Sequence, residues 1–250
     1  IERFKPGVVE TRALARPDAQ FGYLHDNAIF AFKGRLWAAW YNCPKSEMIG
    51  NSVIRGRWSD DGGETWSPVK IFAGDPNAKP DEAKGAFMYV PPAFGSDGKD
   101  LYLFASRMIG PDVVRDCEIF KWDAAGERFV SAGLMGADFI PNAAMQSRTD
   151  GKWMIAGRRY VPRTSARWAK SRPTLAISET ADPAGKWRFS DISDEYVPGT
   201  KLVYQCSEPG LIAEGRRLTA FVRCSDYGAP GGCGLRVHES LDEGETWKLL

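Results

Sequence analysis

The residues of this chain able to do chemistry recur at matching places along it. Glu208 opens an apolar segment that Arg223 closes, with the turn Gly215-Arg216 between them. A glutamate and an arginine at adjoining strand ends make either an ion pair or one side of an acid-binding site. Arg158 closes a second such segment. Aligning the segments on Leu36, Leu101, Trp153 and Leu218 sets Tyr41, Ser106, Arg158 and Arg223 at one position. A shift of one residue nominates Arg107 and Arg159 instead. Two or three converging arginines grip a carboxylate through paired N–H groups and hold it away from water. His25, one of only two histidines, starts the run His25-Asp26-Asn27. An imidazole can give or take a proton near neutrality, so His25 and its neighbour Asp26 are candidate catalytic residues. His238 reads as structural.

These residues sit at the ends of four segments with one plan. His25 to Tyr41, Pro92 to Arg107, Asn142 to Arg158 and Glu208 to Arg223 each run as apolar strand, Gly-basic turn, apolar strand. Short apolar runs split by glycine turns are the signature of β-hairpins. A second element alternates with them. Ser59-Asp60-Asp61-Gly62-Gly63-Glu64-Thr65-Trp66 and Ser240-Leu241-Asp242-Glu243-Gly244-Glu245-Thr246-Trp247 both read Ser-x-Asp-x-Gly-x-Thr-Trp. The Asp carboxylate can accept from backbone N–H groups ahead of it, the glycine takes a left-handed angle, and Ser and Thr add local bonds. The Trp is expected to begin the next strand and fold its indole under the turn. Degenerate copies lie at Asp123 to Phe129 and Asp182 to Trp187, so the closing aromatics fall at 66, 129, 187 and 247, in steps of 63, 58 and 60. One hairpin plus one such turn makes a four-stranded blade, the unit of an all-β propeller.

The repeated turn resembles the Asp-box, or BNR repeat, of the sialidase (neuraminidase) superfamily. That resemblance makes Ser59, Asp61, Gly63, Thr65, Trp66, Ser240, Asp242, Gly244, Thr246 and Trp247 structural residues of the propeller rim, away from the chemistry. It also implies six blades, of which four are visible in residues 1–250. One domain, incomplete at its C-terminus, is therefore expected, with Gly7 to Leu14 as a strand that closes the ring. The segment from Cys206 to Arg223 is similar to the sialidase stretch in which a Glu tunes a tyrosine nucleophile and an Arg binds the sugar carboxylate. By that match Glu208 has the first role and Arg223 the second, with Arg158, Tyr41, Arg107 and Arg159 as further substrate-binding candidates. His25 resembles the leading histidine of the "BNR_2-type" members of the family.

The chain departs from the sialidase pattern too. The Phe-Arg-Ile-Pro element is absent, since Phe4-Lys5-Pro6 does not reproduce it. Asn51 stands near the place of the acid/base Asp and cannot cycle a proton, so that role passes to Glu47, Asp26 or His25. The resemblance implies an enzyme that removes a terminal acidic sugar from a glycan. The alternatives are a propeller lyase, in which His25 and Tyr41, Tyr160 or Tyr204 would take the C5 proton of a uronate, and a non-catalytic glycan-binding propeller.

Composition narrows the partners. The 33 basic and 32 acidic side chains balance, and no basic stripe argues for nucleic acid or a membrane surface. No apolar run reaches the ~18 residues of a transmembrane helix. The five cysteines fit no metal spacing, so neither metal nor cofactor is expected. Cys206 and Cys224 would face each other across the last hairpin and are a candidate disulfide in an oxidising compartment. A secreted or periplasmic location fits if a leader has been removed.

Overall fold

Each hairpin turn carries a glycine at a left-handed angle: Gly34 (φ 78°), Gly98 (φ 85°), Gly151 (φ 78°) and Gly215 (φ 62°). The strands on either side pair antiparallel, and two more strands follow in each unit. The structure is a computed structural model, and it describes residues 11–47, 50–110, 113–160, 171–193, 205–225 and 233–250. The first blade is β1 (Tyr23–Phe32), β2 (Arg35–Cys43), β3 (Val53–Ser59) and β4 (Lys70–Ala73), in that spatial order. The second is β5 (Met88–Ser96), β6 (Leu101–Gly110), β7 (Val113–Asp123) and β8 (Arg128–Ala137). In the third, β9 (Phe139–Pro141) and β10 (Gln146–Ser147) share one side of β11 (Trp153–Tyr160), followed by β12 (Ser171–Ser178) and β13 (Trp187–Asp191). The fourth is β14 (Gln205–Glu214), β15 (Arg217–Ser225), β16 (Cys233–Ser240) and β17 (Lys248–Leu249). Among the described residues the helical content is one 3₁₀ turn, Glu82–Lys84. The architecture is an all-β propeller of four antiparallel blades.

Three apolar seams hold neighbouring blades together. Trp37, Trp58 and Phe72 of the first blade meet Trp122 and Phe129 of the second, with Trp37 and Trp122 rings 4.7 Å apart and nearly perpendicular. Phe104 and Ile119 pack on Phe139, Ile155 and Trp187 of the third blade. Met154, Leu175 and Ile177 pack on Leu218, Ala220 and Val222 of the fourth. The last three alternate along β15, so one face of that strand is core and the other carries Thr219, Phe221 and Arg223. Each large side chain buried in a seam contributes about 1.5–3 kcal/mol.

All four Asp-containing turns join a blade's third strand to its outermost one. In the first, Thr65 N donates to Asp61 Oδ1 at 2.8 Å, Thr65 Oγ1 to Oδ2 at 2.6 Å, and Gly63 N to Ser59 Oγ at 2.8 Å. In the last, Thr246 N donates to Asp242 Oδ1 at 2.9 Å, Thr246 Oγ1 to Oδ2 at 2.6 Å, and Gly244 N to Ser240 Oγ at 2.8 Å. Gly63 and Gly244 take φ of 101° and 91°. The threonine bonds hold both carboxyls below the ordinary aspartate range, Asp242 at about 2. One expectation needs correcting: Trp66 does not begin a strand, since β4 starts at Lys70. Its indole does fold under the turn as expected: Nε1 donates to Gly63 O at 3.0 Å, and Trp187 does the same to Pro183 O. Trp247 does abut β17.

The expected ring-closing strand, Gly7 to Leu14, is described only in part. Residues 7–10 lie outside the described residues, and 11–14 form no strand. Arg12 and Leu14 lie against the first blade, with Arg57 Nη1 donating to Leu14 O at 2.8 Å and Arg12 paired to Glu64.

Candidate active site

The innermost strands of three blades share an irregularity that builds the site. In β1 the register with β2 slips at Asp26, in β5 with β6 at Pro91, and in β14 with β15 at Glu208. Each bulged residue lies five positions before the partner of the alignment residue: Ala31 opposite Leu36, Ser96 opposite Leu101, Ala213 opposite Leu218. The third blade breaks its inner strand instead, and the N–H groups of Asn142 and Ala143 both donate to Ala156 O. A bulge leaves one residue unpaired and re-aims its side chain. Asp26 and Glu208 pass through it with φ of 40° and 51°, a strained angle for side-chain-bearing residues, of the kind that clusters at functional sites. The Asp26, Pro91 and Asn142 positions border one cavity of about 450 Å³, whose lining includes His25, Asn27, Pro92 and Pro141.

Strand neighbours normally face opposite ways, but the bulge brings His25 and Asp26 together. His25 Nδ1 lies 2.8 Å from Asp26 Oδ1, and the imidazole is 43% exposed. Burial raises the Asp26 carboxyl above the ordinary aspartate value. His25 and Arg158 pull it down, and Glu208 and Glu47 add to the rise. Asp26 is therefore within electrostatic reach of residues from the third and fourth blades.

Glu208 is held from two blades. Arg158 Nη1 donates to its Oε1 at 2.8 Å and Arg223 Nη1 to its Oε2 at 2.6 Å. Burial pushes the Glu208 carboxyl up, but the Arg223 hydrogen bond and the two guanidinium charges outweigh it and leave it below the ordinary glutamate value. The Arg158 side chain is 9% exposed, and its Nε has no partner among the described residues. Arg223 is 57% exposed. Asp26 and Glu208 are thus pushed apart in acidity, the condition under which two carboxyls divide the acid and anion roles.

The other candidates lie elsewhere. Arg107 makes a paired bond to Asp116 at 2.6 and 2.7 Å, with its guanidinium over the Phe87 ring. Arg159 stacks over Phe189. Each follows its aligned neighbour by one residue and projects to the opposite face, so the unshifted alignment is the one that gathers residues at the Glu208 cluster. Tyr41 stands opposite His25 and is fully buried, which keeps its side chain from a ligand. Its hydroxyl is 3.3 Å from Glu47 Oε1, and burial, with Glu47 and Asp26 nearby, keeps the phenol protonated far above its ordinary range. Asn51 donates to Pro76 O at 3.0 Å. Cys206 and Cys224 are register partners, but the Cys206 side chain and Tyr204 lie outside the described residues. His238 is buried, which lowers its pKa.

No protein-family model and no curated protein matches the chain in sequence. Solved structures do match in shape. A Hadza microbial sialidase, Hz136, superposes with a TM-score of 0.67 at 13% identity, over 92% of this chain and 47% of that one. A leech intramolecular trans-sialidase complexed with 2,7-anhydro-Neu5Ac gives 0.65 at 11%, over 97% and 53%. The Trypanosoma rangeli sialidase in complex with sialic acid gives 0.62 at 16%, over 90% and 37%. The chain has a sialidase-like propeller fold. It spans about half or less of the length of these solved sialidases.

Sequence reasoning on this sialidase-like propeller missed three things. The Arg158–Glu208 contact joins residues fifty positions apart in different blades. The parallel stacking of Tyr23 on His25, with ring centres 5.7 Å apart, carries no motif. The bulges did leave a signal: Pro91-Pro92 and Glu208-Pro209 place a residue without an N–H inside an apparent strand, which marks an interruption of the ladder.

Proposed function

We propose that this chain carries the acidic-sugar site of a sialidase-like glycoside hydrolase. The observation that carries the proposal is Glu208 held between Arg158 and Arg223, within electrostatic reach of the His25–Asp26 pair. Arg223, exposed and oriented by Glu208, binds the carboxylate of a terminal acidic sugar, and Arg158 completes the positive wall. The Arg158 Nε has no partner among the described residues. Glu208 stays ionised, positions both forks and contributes the fixed negative charge. His25 with Asp26 moves the proton, the task Asn51 cannot perform. The bound sialic acid named for the Trypanosoma rangeli structure supports an acidic sugar as ligand.

The lyase reading draws on the approach of His25 to Tyr41, with ring centres 5.6 Å apart. Tyr41 is fully buried with its hydroxyl on Glu47, a poor place to exchange a proton with a sugar, Tyr160 packs half-buried against an apolar core, and Tyr204 lies outside the described residues, so hydrolysis is the better-supported chemistry. Incubating the chain with aryl sialosides, aryl uronides and acidic polysaccharides separates the readings. A released acidic sugar with a new reducing end supports hydrolysis. A product absorbing in the near-ultraviolet overturns it in favour of elimination, and binding without product overturns catalysis altogether.

A further inference from the structure

We infer that Tyr23 is a positioning residue for His25: its ring is the plate that holds the imidazole in register with Asp26. This rests on the reading of His25 and Asp26 as the proton-transfer pair. Tyr23 and His25 are two positions apart on β1 and share a face, and their rings lie within 8° of parallel. Tyr41, directly across the ladder from His25, closes against the imidazole at 46°. The imidazole is therefore packed by two phenols while its Nδ1 meets Asp26.

The plate is itself anchored. Tyr23 pairs with Cys43 in the ladder, and the buried Asn42 donates its Nδ2 to Tyr23 O at 3.2 Å. Trp40 Nε1 in turn donates to Asn42 Oδ1 at 2.8 Å, which fixes the amide's orientation. Gly22 N donates to Pro44 O just ahead of the strand, so backbone bonds hold β1 on both sides of Tyr23.

The consequence is chemical. With Nδ1 2.8 Å from Asp26 Oδ1, the carboxylate's charge favours the proton on that nitrogen, so neutral His25 is confined to the Nδ1–H tautomer and Nε2 becomes the nitrogen that takes and returns the proton. The charged and titratable groups around the pair are Asp26 itself, Tyr23 and Tyr41, with Glu47, Glu208 and Arg158 acting at longer range. Asp26 selects the tautomer. Tyr23 keeps the ring where that selection operates. Without it the imidazole turns about its side-chain bonds and the Nδ1–Asp26 contact is shared with solvent.

The test uses imidazole ¹⁵N spectra of the full chain. Its two histidines give two sets of signals, and buried His238, on β16 in another blade, reports folding independently. Wild type and Tyr23→Phe, which keeps the plate, should show neutral His25 as the single Nδ1–H tautomer. Tyr23→Leu should show a tautomer mixture with the His238 signals unmoved, and Tyr23→Met carries the same test if the leucine variant loses the His238 signals. On an aryl sialoside, kcat should fall roughly 10- to 100-fold in the leucine variant with KM little changed, and Phe should restore it. An unchanged single tautomer in the folded Leu or Met variant overturns the inference, whatever the activity. A tautomer mixture in a chain that cleaves no glycan keeps the positioning role and overturns the hydrolase reading instead.

Discussion

Arg158 and Glu208 meet across the boundary between the third and fourth blades at 2.8 Å, the arginine almost wholly buried and the glutamate half-open to the mouth. The pair links a strand end of one blade to the bulge of the next, so it is at once a blade-to-blade lock and part of the proposed binding wall. Because the two residues share one contact, their contributions should not add. A double-mutant cycle of Arg158→Met and Glu208→Gln in urea unfolding should give a coupling of about 1–3 kcal/mol. Additive losses would show that the contact contributes nothing to stability. The double variant should be more stable than Glu208→Gln alone, which strands a buried guanidinium.

Arg223→Lys retains the charge and loses the fork. If Arg223 grips a planar carboxylate, KM for an acidic-sugar substrate should rise about tenfold or more with a smaller change in kcat. Steady-state kinetics of the Lys variant beside Arg223→Ala would check this. Identical behaviour of wild type and Lys would mean that the charge alone matters there.

His25→Ala should reduce turnover by about 10²–10⁴, the range for a lost general acid–base, while the thermal unfolding midpoint stays close to wild type. The half-exposed imidazole packs against tyrosines rather than filling a core, so folding should not depend on it. Undiminished turnover would move the proton transfer to Asp26 or Glu47.

Asp26 gives a pH signature. Its folded-state pKa is raised, mainly by burial, so the native state binds more protons than the unfolded chain. Its contribution to stability is fully present below the unfolded aspartate value near ~3.9 and is lost as pH rises through the folded value. Asp26→Asn should therefore be stabilised relative to wild type at pH 7, and that difference should shrink at pH 4, even as activity falls. Thermal melts of both proteins at the two pH values decide the sign.

Asp242→Ala removes the acceptor of both Thr246 bonds in the last outer turn. A drop of about 2–4 °C in unfolding midpoint with kcat unchanged is expected. Any loss of activity greater than the loss of folded protein would assign that turn a role beyond structure. The lowered Asp242 pKa works in the opposite direction to Asp26: its stabilisation is present above the unfolded value and is lost as pH falls through about 2.

The fold was legible because its determinants are local. An Asp that bonds a Thr four residues on, a glycine that must take a positive φ, and apolar runs between them all lie within a dozen positions, and each repeats around the chain. The hairpins, the outer turns and the alignment of Tyr41 with Arg158 and Arg223 follow from that alone. What the strand pattern could not show is where a side chain points once a ladder slips. A bulge shifts the in-and-out alternation by one residue, and it turns Asp26 toward His25 and Glu208 toward two arginines. Strand alternation alone sends Arg107 and Arg159 away to Asp116 and Phe189. Tyr41 was nominated by position and removed from the surface by burial that only packed neighbours create. Sequence by itself determined the blades, because hydrogen bonds and turns act over a few residues. Tertiary structure decided the site, because the contact of Arg158 with Glu208 and the field at Asp26 exist only when separate blades converge.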